Sequence, residues 1–479
     1  MQDMRPLRPN RTFDEIAVGD GAQVVRTLTA NDLVVFAHAS GNLNPIHMPG
    51  APGAPALLAE GESEAVAPSS WLAGLISCVL GMELPGPGTL YRSQSLTFHG
   101  RVHVGDTVVA RVRVVAKDAG RVVRFATMVT RSDGILIAEG ESTVIAPGER
   151  SFLPESDLPD IVVQRHVHFA RLVAAARHLP PLATAVVCPG DAKALKGVML
   201  AVEAGLIVPL LVGPRAATQA AAREIGADIG AFEIVDAADD RDAAHRAIAL
   251  VREGHVANLM KGNLHTDVFL CEVVRKEGGL RGTRRLSHVF VIDLPGLPAP
   301  LLITDAAINI APTLDMKVDI VQNAIDLACA IGIERPRIGI LSAVETVNPA
   351  IQSTLDAAVL SKMAERGQIR GGIVDGPLAM DNAIDLGAAR TKGIQSLVAG
   401  RADVLVVPNL EAGNMLAKEL TFLARAEAAG IVMGARVPII LNSRADDEKS
   451  RLASAALALL VEAWQRTGVG IPPLAVAAE

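Results

Sequence analysis

The stretch VPIILNSRADDEKSRL, residues 437–452, decides the fold of the larger part of this chain. An apolar run ends at Leu441, three polar residues follow, and a charged, helix-forming segment comes next. The same order of short apolar strand, polar turn and Ala-rich helix recurs from about residue 160 onward. Strands that alternate with helices in this way predict parallel, doubly wound sheets. We expect strands at 184–188, 208–212, 256–260, 289–293, 337–341, 404–407 and 437–441.

Residues before about 150 follow a different pattern. Helices are predicted at 32–40 and 70–84, and strand-like alternation follows them. Two helices and then a meander of strands indicate an α+β domain with an antiparallel sheet. The proline-rich, acidic segment PGERSFLPESDLPD, residues 147–160, is typical of a linker between the two parts. The predicted strands lie at 95–101, 107–116, 122–130 and 135–145.

Length, charge and cysteine content exclude several classes of protein. A chain of 479 residues is too long for one ordinary core, so two or three domains are expected. Half of the residues are apolar, but no run approaches the roughly 20 apolar residues that a membrane span needs. The net charge of −7 argues against a non-specific nucleic-acid binder. The four scattered cysteines and the absence of a signal-peptide pattern predict a cytoplasmic protein with reduced thiols.

The polar turn after Leu441 is the first candidate site. Ligands of open α/β sheets bind beyond the carboxyl ends of strands, where helix N-termini attract anions. Ser443 offers a hydroxyl, and Arg444 offers a planar pair of donors suited to phosphate or carboxylate. Alternatively, Ser443 is only the N-cap of the helix, with Asp446 completing a capping box. The spacing alone leaves both interpretations open.

Similar strand–loop–helix junctions occur elsewhere in the chain. Lys261 lies beside a glycine in MKGNLHTD and could contact an anion, although a lone loop lysine is more often simply solvated. Asp305 and Asp375 follow apolar runs and are candidates for binding or base roles, with turn-forming caps as the alternative. No GxxxxGK[ST] or GxGxxG run is present, so ATP and dinucleotide binding lose support.

Residues 160–479 resemble the phosphate acetyl/butyryltransferase family along their whole length. The resemblance is carried by LMKGNLHTD, ILSAVETVNP, VDGPLAMDNAI, VPNLEAGNMLAKELTFL and VPIILNSRADDEKSRL. It implies the reaction acyl-CoA + phosphate ⇌ acyl phosphate + CoA, with no metal in the chemical step and no tightly bound cofactor. It also implies two α/β/α lobes with a cleft between them. The first lobe would comprise residues 160–283 and 433–479, and the second residues 284–432.

The resemblance assigns roles to individual residues. Ser443 would steady the reacting sulfur or the oxyanion, and Arg444 would hold phosphate. Two positions depart from the family: Ser450 stands where the acetyltransferase branch has an aspartate that helps to deprotonate CoA, and Cys271 stands where an arginine is usual. Arg275 could replace that arginine; otherwise the activity is lowered. The expected substrate-binding residues are Lys261, His265, Thr266, Asn442, Asp305, Asp375 and Asn414.

The N-terminal stretch ASGNLNPIH, residues 39–47, carries a second resemblance. Together with SSWLAGLISCVL and LPGPGTLYRSQSLTFHGRVHVGDTV, it resembles the MaoC-like (R)-specific enoyl-CoA hydratases, which have a hotdog fold. The family motif is Ser-Gly-Asp-x-Asn-Pro-x-His, and its Asp and His activate a water. Here Asn42 stands at the Asp position and His47 is kept. An amide orients water but accepts no proton, so a degraded hydratase is expected.

The combined prediction is an α+β hotdog domain at 1–148, a linker at 149–159 and a two-lobed α/β/α transferase domain at 160–479. The leading function is a phosphate acyltransferase whose hotdog domain binds acyl-CoA. The alternatives are a bifunctional hydratase and acyltransferase, and a catalytically weak acyl-CoA-binding scaffold. Within the hotdog domain, the alternative to a site is a helix end with a structural His47. A homodimer or a higher homo-oligomer is expected.

Overall fold

The computed structural model of the chain describes residues 8–49, 65–153, 166–295, 297, 299–442 and 446–472. The chain divides into two compact units, residues 1–163 and residues 164–478. Two residues of the predicted linker, Phe152–Leu153, form a short strand that pairs with Arg8–Pro9 in the first unit. The part of the predicted linker from residue 154 onward lies outside the described residues.

The described residues of the first unit form short and long strands together with two α-helices. Its elements are β1 (Arg8–Pro9), β2 (Gly21–Thr27), α1 (Ala30–Ser40), α2 (Ser69–Cys78), β3 (Leu90–Phe98), β4 (Thr107–Asp118), β5 (Val122–Arg131), β6 (Leu136–Ile145) and β7 (Phe152–Leu153).

A five-stranded antiparallel sheet of order β2-β4-β5-β6-β3 covers helix α2. The helix buries Trp71, Leu72 and Ile76 in the same core as Phe125 of the sheet. Alternate residues of β4 and β5 are buried, as expected for a sheet with one face on a core. The hotdog prediction is confirmed. Two details differ: the predicted helix at 70–84 ends as a π-helical turn at Val79–Glu83, and the unexpected strand β2 is mostly exposed.

The second unit alternates strands and helices. Its elements, in chain order, are α3 (His168–Ala176), β8 (Leu182–Val187), α4 (Ala192–Glu203), β9 (Ile207–Gly213), α5 (Arg215–Ile225), β10 (Ile234–Asp236), α6 (Asp240–Arg252), β11 (Asn258–Lys261), α7 (Thr266–Val273), β12 (Ser287–Asp293), β13 (Leu301–Thr304), α8 (Leu314–Ala330), β14 (Arg337–Leu341), α9 (Gln352–Glu365), β15 (Ile373–Leu378), α10 (Met380–Ile384), α11 (Leu386–Thr391), β16 (Val404–Val406), α12 (Leu410–Phe422), β17 (Glu427–Met433), β18 (Ile439–Ile440) and α13 (Glu448–Thr467).

One sheet of eleven strands runs through this unit in the order β10-β9-β8-β11-β18-β17-β12-β13-β16-β14-β15. The five strands from β10 to β18 are parallel to one another, and so are the four from β13 to β15. Between these groups, β17 and β12 pair antiparallel with each other and with their outer neighbours. The two parallel groups therefore run in opposite directions. The predicted α/β fold is confirmed, but the expectation of purely parallel sheets is wrong for β12 and β17.

The core of the second unit explains its Ala- and Val-rich composition. Most residues of helix α13 are buried, and small residues such as Ala455, Ala456 and Ala458 let it lie close to its neighbours. Its buried face packs in the same core as strands β12 and β17, which join the two parallel groups. Within the described part of the chain, none of the helices combines the length and the apolar character that crossing a bilayer demands.

Candidate functional site

A cleft of about 520 Å³ opens in the second unit beside the end of strand β18. Six parts of the described chain supply its walls: the start of α7, strand β12, the loop after β13, helix α12, the start of β17, and the residues on either side of 443–445 between β18 and α13. The cleft thus lies where the strand–loop–helix pattern placed a site. Its polar and charged lining residues are Thr266, His288, Asn414, Lys418, Thr421, Glu427, Asn442, Asp446, Asp447 and Ser450.

Asn442 ends the strand segment and points its amide into this region. Its Nδ2 donates to Ser454 Oγ at 3.1 Å and lies 3.3 Å from Asp446 Oδ2. Ser454 Oγ also accepts the backbone N–H of Gly430 at 3.0 Å, which ties the loop to strand β17. The amide oxygen of Asn442 is buried and has no hydrogen-bond partner among the described residues. A buried acceptor of this kind is suited to a ligand that donates a hydrogen bond.

Ser443 and Arg444, the predicted reactive pair, lie outside the described residues. Helix α13 begins at Glu448, which is later than the capping-box interpretation with Ser443 as N-cap requires. Asp447 is its N-cap and accepts the backbone N–H of Ser450 at 2.8 Å. The capping box expected between Ser443 and Asp446 is therefore wrong, because Asp447 already supplies the cap of α13.

His288 is a buried residue of the cleft wall that the sequence did not single out. Its Nε2 is 3.3 Å from the carbonyl oxygen of Leu441, and its ring packs edge-on against Phe290 with 4.3 Å between centroids. Burial lowers the pKa of His288, although nearby Asp305 acts in the other direction, so the ring is neutral. Gly430 allows this approach, since a Cβ there would stand 2.7 Å from His288 Nε2.

The loops after β8 and β11 meet next to the cleft. The backbone N–H groups of Gly262 and Asn263 donate to the carbonyls of Val187 and Cys188, both at 2.8 Å. Gly262 is required by this contact, because a Cβ would lie 2.4 Å from the oxygen of Cys188. Lys261 is buried, and its Nζ donates to the Gly262 carbonyl at 3.2 Å.

Two predicted residues lie at the start of helix α7. His265 is exposed and is the N-cap residue, although its side chain makes no capping hydrogen bond. Thr266 is the first residue of the helix and lines the cleft. The structure thus brings Thr266, Asn414 and Asn442 to one cleft, while His265 and Lys261 do not line it.

Asp305 is held by the backbone of its own loop. Its carboxylate accepts the N–H groups of Ala307, Ile308 and Asn309 at 3.0–3.1 Å, and that of His288 at 3.2 Å. The side chain is 2% exposed, so it shapes the loop rather than facing the cleft. Asn414 donates to the carbonyl of Ala306 at 3.3 Å and so connects helix α12 to the same loop.

The remaining predicted positions lie away from the cleft lining. Asp375 lies on β15, at the edge of the sheet, and accepts the N–H of Gly376 at 2.8 Å. Arg275 is bound to Glu272 at 2.8 Å. Cys271 is exposed and lines a second cavity, of about 580 Å³, whose walls also include Arg281, Arg284 and Arg285.

The loop at Asn42 in the first unit is organised by local hydrogen bonds. Helix α1 ends at Gly41, which adopts a left-handed conformation with φ of 71°. The Asn42 amide oxygen accepts the backbone N–H of Asn44 at 3.2 Å. His47 Nδ1 is 2.8 Å from the carbonyl oxygen of Val66. Because a carbonyl can only accept, Nδ1 carries a proton, and in the neutral tautomer of the ring the lone pair is on Nε2.

Sequence reasoning missed His288, Phe290 and Lys418 at the cleft. His288 and Phe290 stand inside an apolar strand, SHVFVID, where alternation gives no sign of which face meets a ligand. Lys418 is an exposed helical residue, and nothing in its spacing separates it from a solvated lysine. One signal was available. Helix α12 begins shortly after the end of strand β16, eight residues before Lys418, and a helix that follows a strand end is where a ligand site is expected.

These elements define an α/β protein whose cleft lies at strand ends, preceded by a hotdog unit. The family model described as "Phosphate acetyl/butaryl transferase" matches residues 240–459, and the model described as "MaoC like domain" matches residues 20–134. The phosphate acetyltransferase of Rhizobium meliloti is 58% identical over 298 residues, which are 62% of this chain and 94% of that protein. The chain therefore belongs to the phosphate acetyl/butyryltransferase family and carries a MaoC-like domain.

Two further relatives agree with this assignment. The phosphate butyryltransferase of Clostridium beijerinckii is 41% identical over 296 residues, covering 62% of this chain and 98% of that protein. The crystal structure of a branched-chain phosphotransacylase from Enterococcus faecalis V583 is similar with a TM-score of 0.52 and 30% identity. That match covers 58% of this chain and 98% of the other.

Proposed function

We propose that the chain transfers acyl groups of the acetyl or butyryl class between CoA and inorganic phosphate. A phosphate oxygen attacks the thioester carbonyl carbon, the carbon–sulfur bond breaks, and the CoA thiolate leaves and takes up a proton. The observation that carries the proposal is the 58% identity to a phosphate acetyltransferase over 94% of that protein's length. The cleft beside β18 supports it, because it combines hydrogen-bond donors with apolar walls.

In this proposal Arg444 binds the phosphate and Ser443 donates a hydrogen bond to the oxyanion that forms at the carbonyl. A guanidinium fork matches two phosphate oxygens at once, and a hydroxyl aimed at developing charge lowers the barrier. The support comes from their neighbours in sequence, since Asn442 and Asp446 both line the cleft. Thr266 and Asn414 complete the polar part of the substrate site.

Asp446 is the residue we propose to exchange the proton with the CoA thiol. Ser450, at the position of the family's aspartate, cannot accept a proton at neutral pH. Asp446 lines the same cleft and carries a carboxylate, which the amide of Asn442 orients at 3.3 Å. We expect Asp446→Asn to lower kcat with little change in the KM for phosphate, since the amide loses only the base.

The loss of an arginine at Cys271 is offset, we propose, by Arg281, Arg284 and Arg285. These arginines line the cavity that also contains Cys271. That cavity adjoins the cleft, because Thr266 and Ala307 line the cleft while Asp267 and Ile308 line the cavity. Arg275 is a poorer replacement, since Glu272 holds it and it is not among the described lining residues of the cavity. Arg284 lines the cavity but is paired with Asp326, so Arg281 and Arg285 are the main replacements that we propose. Positive charge here would bind the phosphates of CoA.

The direct test measures phosphate-dependent CoA release by the full chain. Acetyl-, butyryl- and crotonyl-CoA are supplied with and without phosphate, and free thiol is followed with a chromogenic reagent. Acyl phosphate is measured in the same samples as its hydroxamate. We expect equal amounts of thiol and acyl phosphate, and no thiol without phosphate. No phosphate-dependent release from any acyl-CoA of two to six carbons would refute the assignment.

For the MaoC-like domain we propose acyl-CoA binding with little or no hydration. The arrangement of His47, with Nδ1 donating to Val66, leaves Nε2 able to accept a proton, but Asn42 offers no negative charge to stabilise the imidazolium. The alternatives give different results with crotonyl-CoA. A bifunctional protein hydrates it at a rate comparable to acyl transfer, whereas a scaffold binds it and transfers nothing to phosphate.

We further propose a homodimer or a higher even-numbered oligomer. Met415, Phe422 and Leu423 on or just after helix α12 are each more than 65% exposed, and large exposed apolar residues in a cluster are typical of interfaces. In the first unit, strands β2 and β3 form the two edges of the described sheet. Light scattering at micromolar concentration tests this, and a monomer would contradict it.

The proposal needs no tightly bound organic cofactor, because both substrates enter and leave in each cycle. We place the protein in the cytoplasm, since all four of its cysteines are free thiols in the structure. Cell fractionation with an antibody to the chain tests the location. An absorption spectrum of the purified protein without bands beyond those of its aromatic residues tests the absence of a chromophoric cofactor.

A further inference from the structure

Three side chains with metal-binding atoms meet at one point of the second unit. His166, Asp293 and Glu427 each offer one ligand atom, and these atoms lie within 4.8 Å of one another. His166 precedes helix α3, Asp293 ends strand β12 and Glu427 begins strand β17. They are therefore far apart in sequence, and the fold brings them together. None of them belongs to the reactive residues proposed for acyl transfer.

The two carboxylates stand directly opposite each other across the antiparallel pair of strands. Asp293 and Glu427 are register partners, so their side chains leave the same face of the sheet. Like charges in directly opposite positions destabilise a sheet, and burial makes this worse because water screens the repulsion less. Asp293 is 0% exposed. Such a pair calls for a positive charge between the two carboxylates.

Asp293 presents one oxygen that the protein leaves unbound. Its Oδ2 accepts the backbone N–H groups of His168 and Phe169, at 2.8 and 3.0 Å. Its Oδ1 is buried and has no hydrogen-bond partner among the described residues. A buried, unpartnered carboxylate oxygen is costly, and a cation removes that cost. The carboxylate is also fixed in place, because Oδ2 is anchored to the first residues of α3.

One ring nitrogen of the histidine contacts the backbone beside the cluster. His166 Nδ1 lies 3.2 Å from the backbone carbonyl oxygen of Asp293. Donation from Nδ1 to that carbonyl leaves the Nε2 lone pair for a metal, and histidine ligands commonly donate their other N–H in this way.

We propose that His166, Asp293 and Glu427 bind a divalent first-row transition ion, with Zn²⁺ as the reference ion. One imidazole and two carboxylates form a donor set of nitrogen and oxygen that suits zinc. Tetrahedral zinc with ligands at about 2.1 Å places them about 3.4 Å apart, so separations that now reach up to 4.8 Å need to shorten by at most about 1.4 Å. The ion would join the start of α3 to the central strands β12 and β17. Glu427 also lines the cleft, so the ion would support one of its walls.

The test uses the full chain, without an affinity tag, after removal of metals by chelation and dialysis. Zn²⁺ is titrated by calorimetry, and Co²⁺ is added separately to look for visible d–d absorption bands. We expect one equivalent of Zn²⁺ per chain, and an increase in Tm on its addition. Glu427→Gln and His166→Gln should each weaken Zn²⁺ binding at least tenfold, because each removes one of three ligands.

Matched controls keep the result interpretable. Glu224→Gln and His178→Gln change the same residue types at exposed positions of the second unit, and should bind Zn²⁺ like the unmodified chain. Circular dichroism checks that each variant is folded, and two independent ligand variants guard against one of them failing to fold. No saturable Zn²⁺ binding overturns the proposal, and so does binding that both ligand variants retain. Metal-free Glu427→Gln should itself have a raised Tm, because it removes the carboxylate repulsion, so the comparison uses only the change in Tm that Zn²⁺ causes in each variant.

Discussion

Two asparagines end regular elements in the two units, and their surroundings differ. Asn442 follows strand β18 in the middle of the eleven-stranded sheet and is 1% exposed. Asn42 follows the exposed end of helix α1, and its amide oxygen binds the N–H only two residues ahead. Charge–charge and hydrogen-bond interactions are stronger where water is excluded. We therefore expect demanding chemistry in the loop after Asn442, and only a retained shape in the loop after Asn42.

The two loops also differ in how far their hydrogen bonds reach. Asn442 bonds to Ser454, which in turn binds Gly430 on strand β17. Asn42 and Asn44 bond within the turn that they form. A change near Asn442 is therefore transmitted to the sheet and to α13, whereas a change at Asn42 stays local.

The largest effect is expected at Arg444. Arg444→Ala should lower kcat/KM for phosphate about 1000-fold, roughly 4 kcal/mol, because it removes the cation that we propose pairs with the phosphate. The KM for acyl-CoA should change far less. The measurement is CoA release with each substrate varied in turn.

The matched control for Arg444 is the exposed Arg436. Arg436→Ala removes the same side chain from the same unit and should leave both constants within about twofold, as surface changes usually do. If both variants behave alike, the loop after Asn442 does not hold phosphate, and the comparison between the two units loses its chemical basis.

The next largest effect is expected at Asn42, in the first unit. Asn42→Asp should raise crotonyl-CoA hydration at least about 100-fold, since a positioned acid–base group contributes about 10²–10⁴. Asp is nearly the size of Asn and keeps the oxygen that accepts the Asn44 N–H, so the turn should fold unchanged. Hydration is followed as loss of the enoyl thioester absorbance.

Two variants control the Asn42 experiment. Asn44→Asp adds the same charge two residues away and should restore nothing. His47→Ala combined with Asn42→Asp should abolish the gain, because the imidazole is the partner of the new carboxylate. Unmodified protein that hydrates crotonyl-CoA as fast as Asn42→Asp would show that His47 suffices, and that the loop is a working site.

The amino-acid sequence predicts much of the fold because the spacing of apolar residues and the turn-forming residues are local features of the chain. The runs around Thr184 and Leu211 are short, apolar and bounded by turn residues, and both are strands. Strand direction is not encoded in that pattern. Two strands show this. Strand β13 (Leu301–Thr304) is wholly buried and strand β12 (Ser287–Asp293) is largely buried, as the parallel strands are, yet the two pair antiparallel with each other. The join between the two parallel groups therefore could not be predicted.

The candidate site, too, could be predicted from the sequence only in part. Thr266, Asn414 and Asn442 meet because each lies at or just beyond a strand end or at the start of a helix, a rule that the sequence displays. Asp305 obeys the rule equally well but turns back onto its own backbone N–H groups. Whether a strand-end carboxylate faces a cleft or caps its loop depends on three-dimensional neighbours, which spacing does not reveal.

The alkylation rates of two cysteines, one buried and one exposed, provide a smaller test of the contrast between buried and exposed positions. Burial raises the pKa of Cys188, after strand β8, to about 12, and nearby Asp240 adds to the effect. Cys78, at the end of α2, is exposed. At pH 8 Cys188 stays a neutral thiol, so Cys78 should be alkylated more than tenfold faster. Mass spectrometry of labelled peptides measures both rates, and equal rates would contradict the buried environment.

The raised pKa of Cys188 also makes the stability of the folded chain depend on pH. The pKa of Cys188 is higher in the folded chain than the reference value of 9.0, so the thiol's contribution to stability is complete below about pH 9. It is lost as pH rises from 9 towards 12. Cys188→Ser should therefore unfold with a weaker dependence on pH in that range, as measured by denaturant titrations at several pH values.

The smallest effects come from one glycine in each unit. Gly197 in α4 lies under Arg451, and a Cβ there would stand 2.5 Å from Arg451 Cδ and 2.9 Å from its Cβ. Arg451 follows Ser450, which lines the cleft, so Gly197→Ala should push α13 outward and lower acyl transfer a few-fold, with about 1–3 kcal/mol of overpacking. Gly74 in α2 is exposed and has open space around it, so Gly74→Ala should stabilise its unit by about 0.5–1 kcal/mol and leave transfer unchanged. Thermal unfolding and CoA release distinguish the two variants. Equal transfer rates in both would mean that the packing of α13 does not shape the cleft.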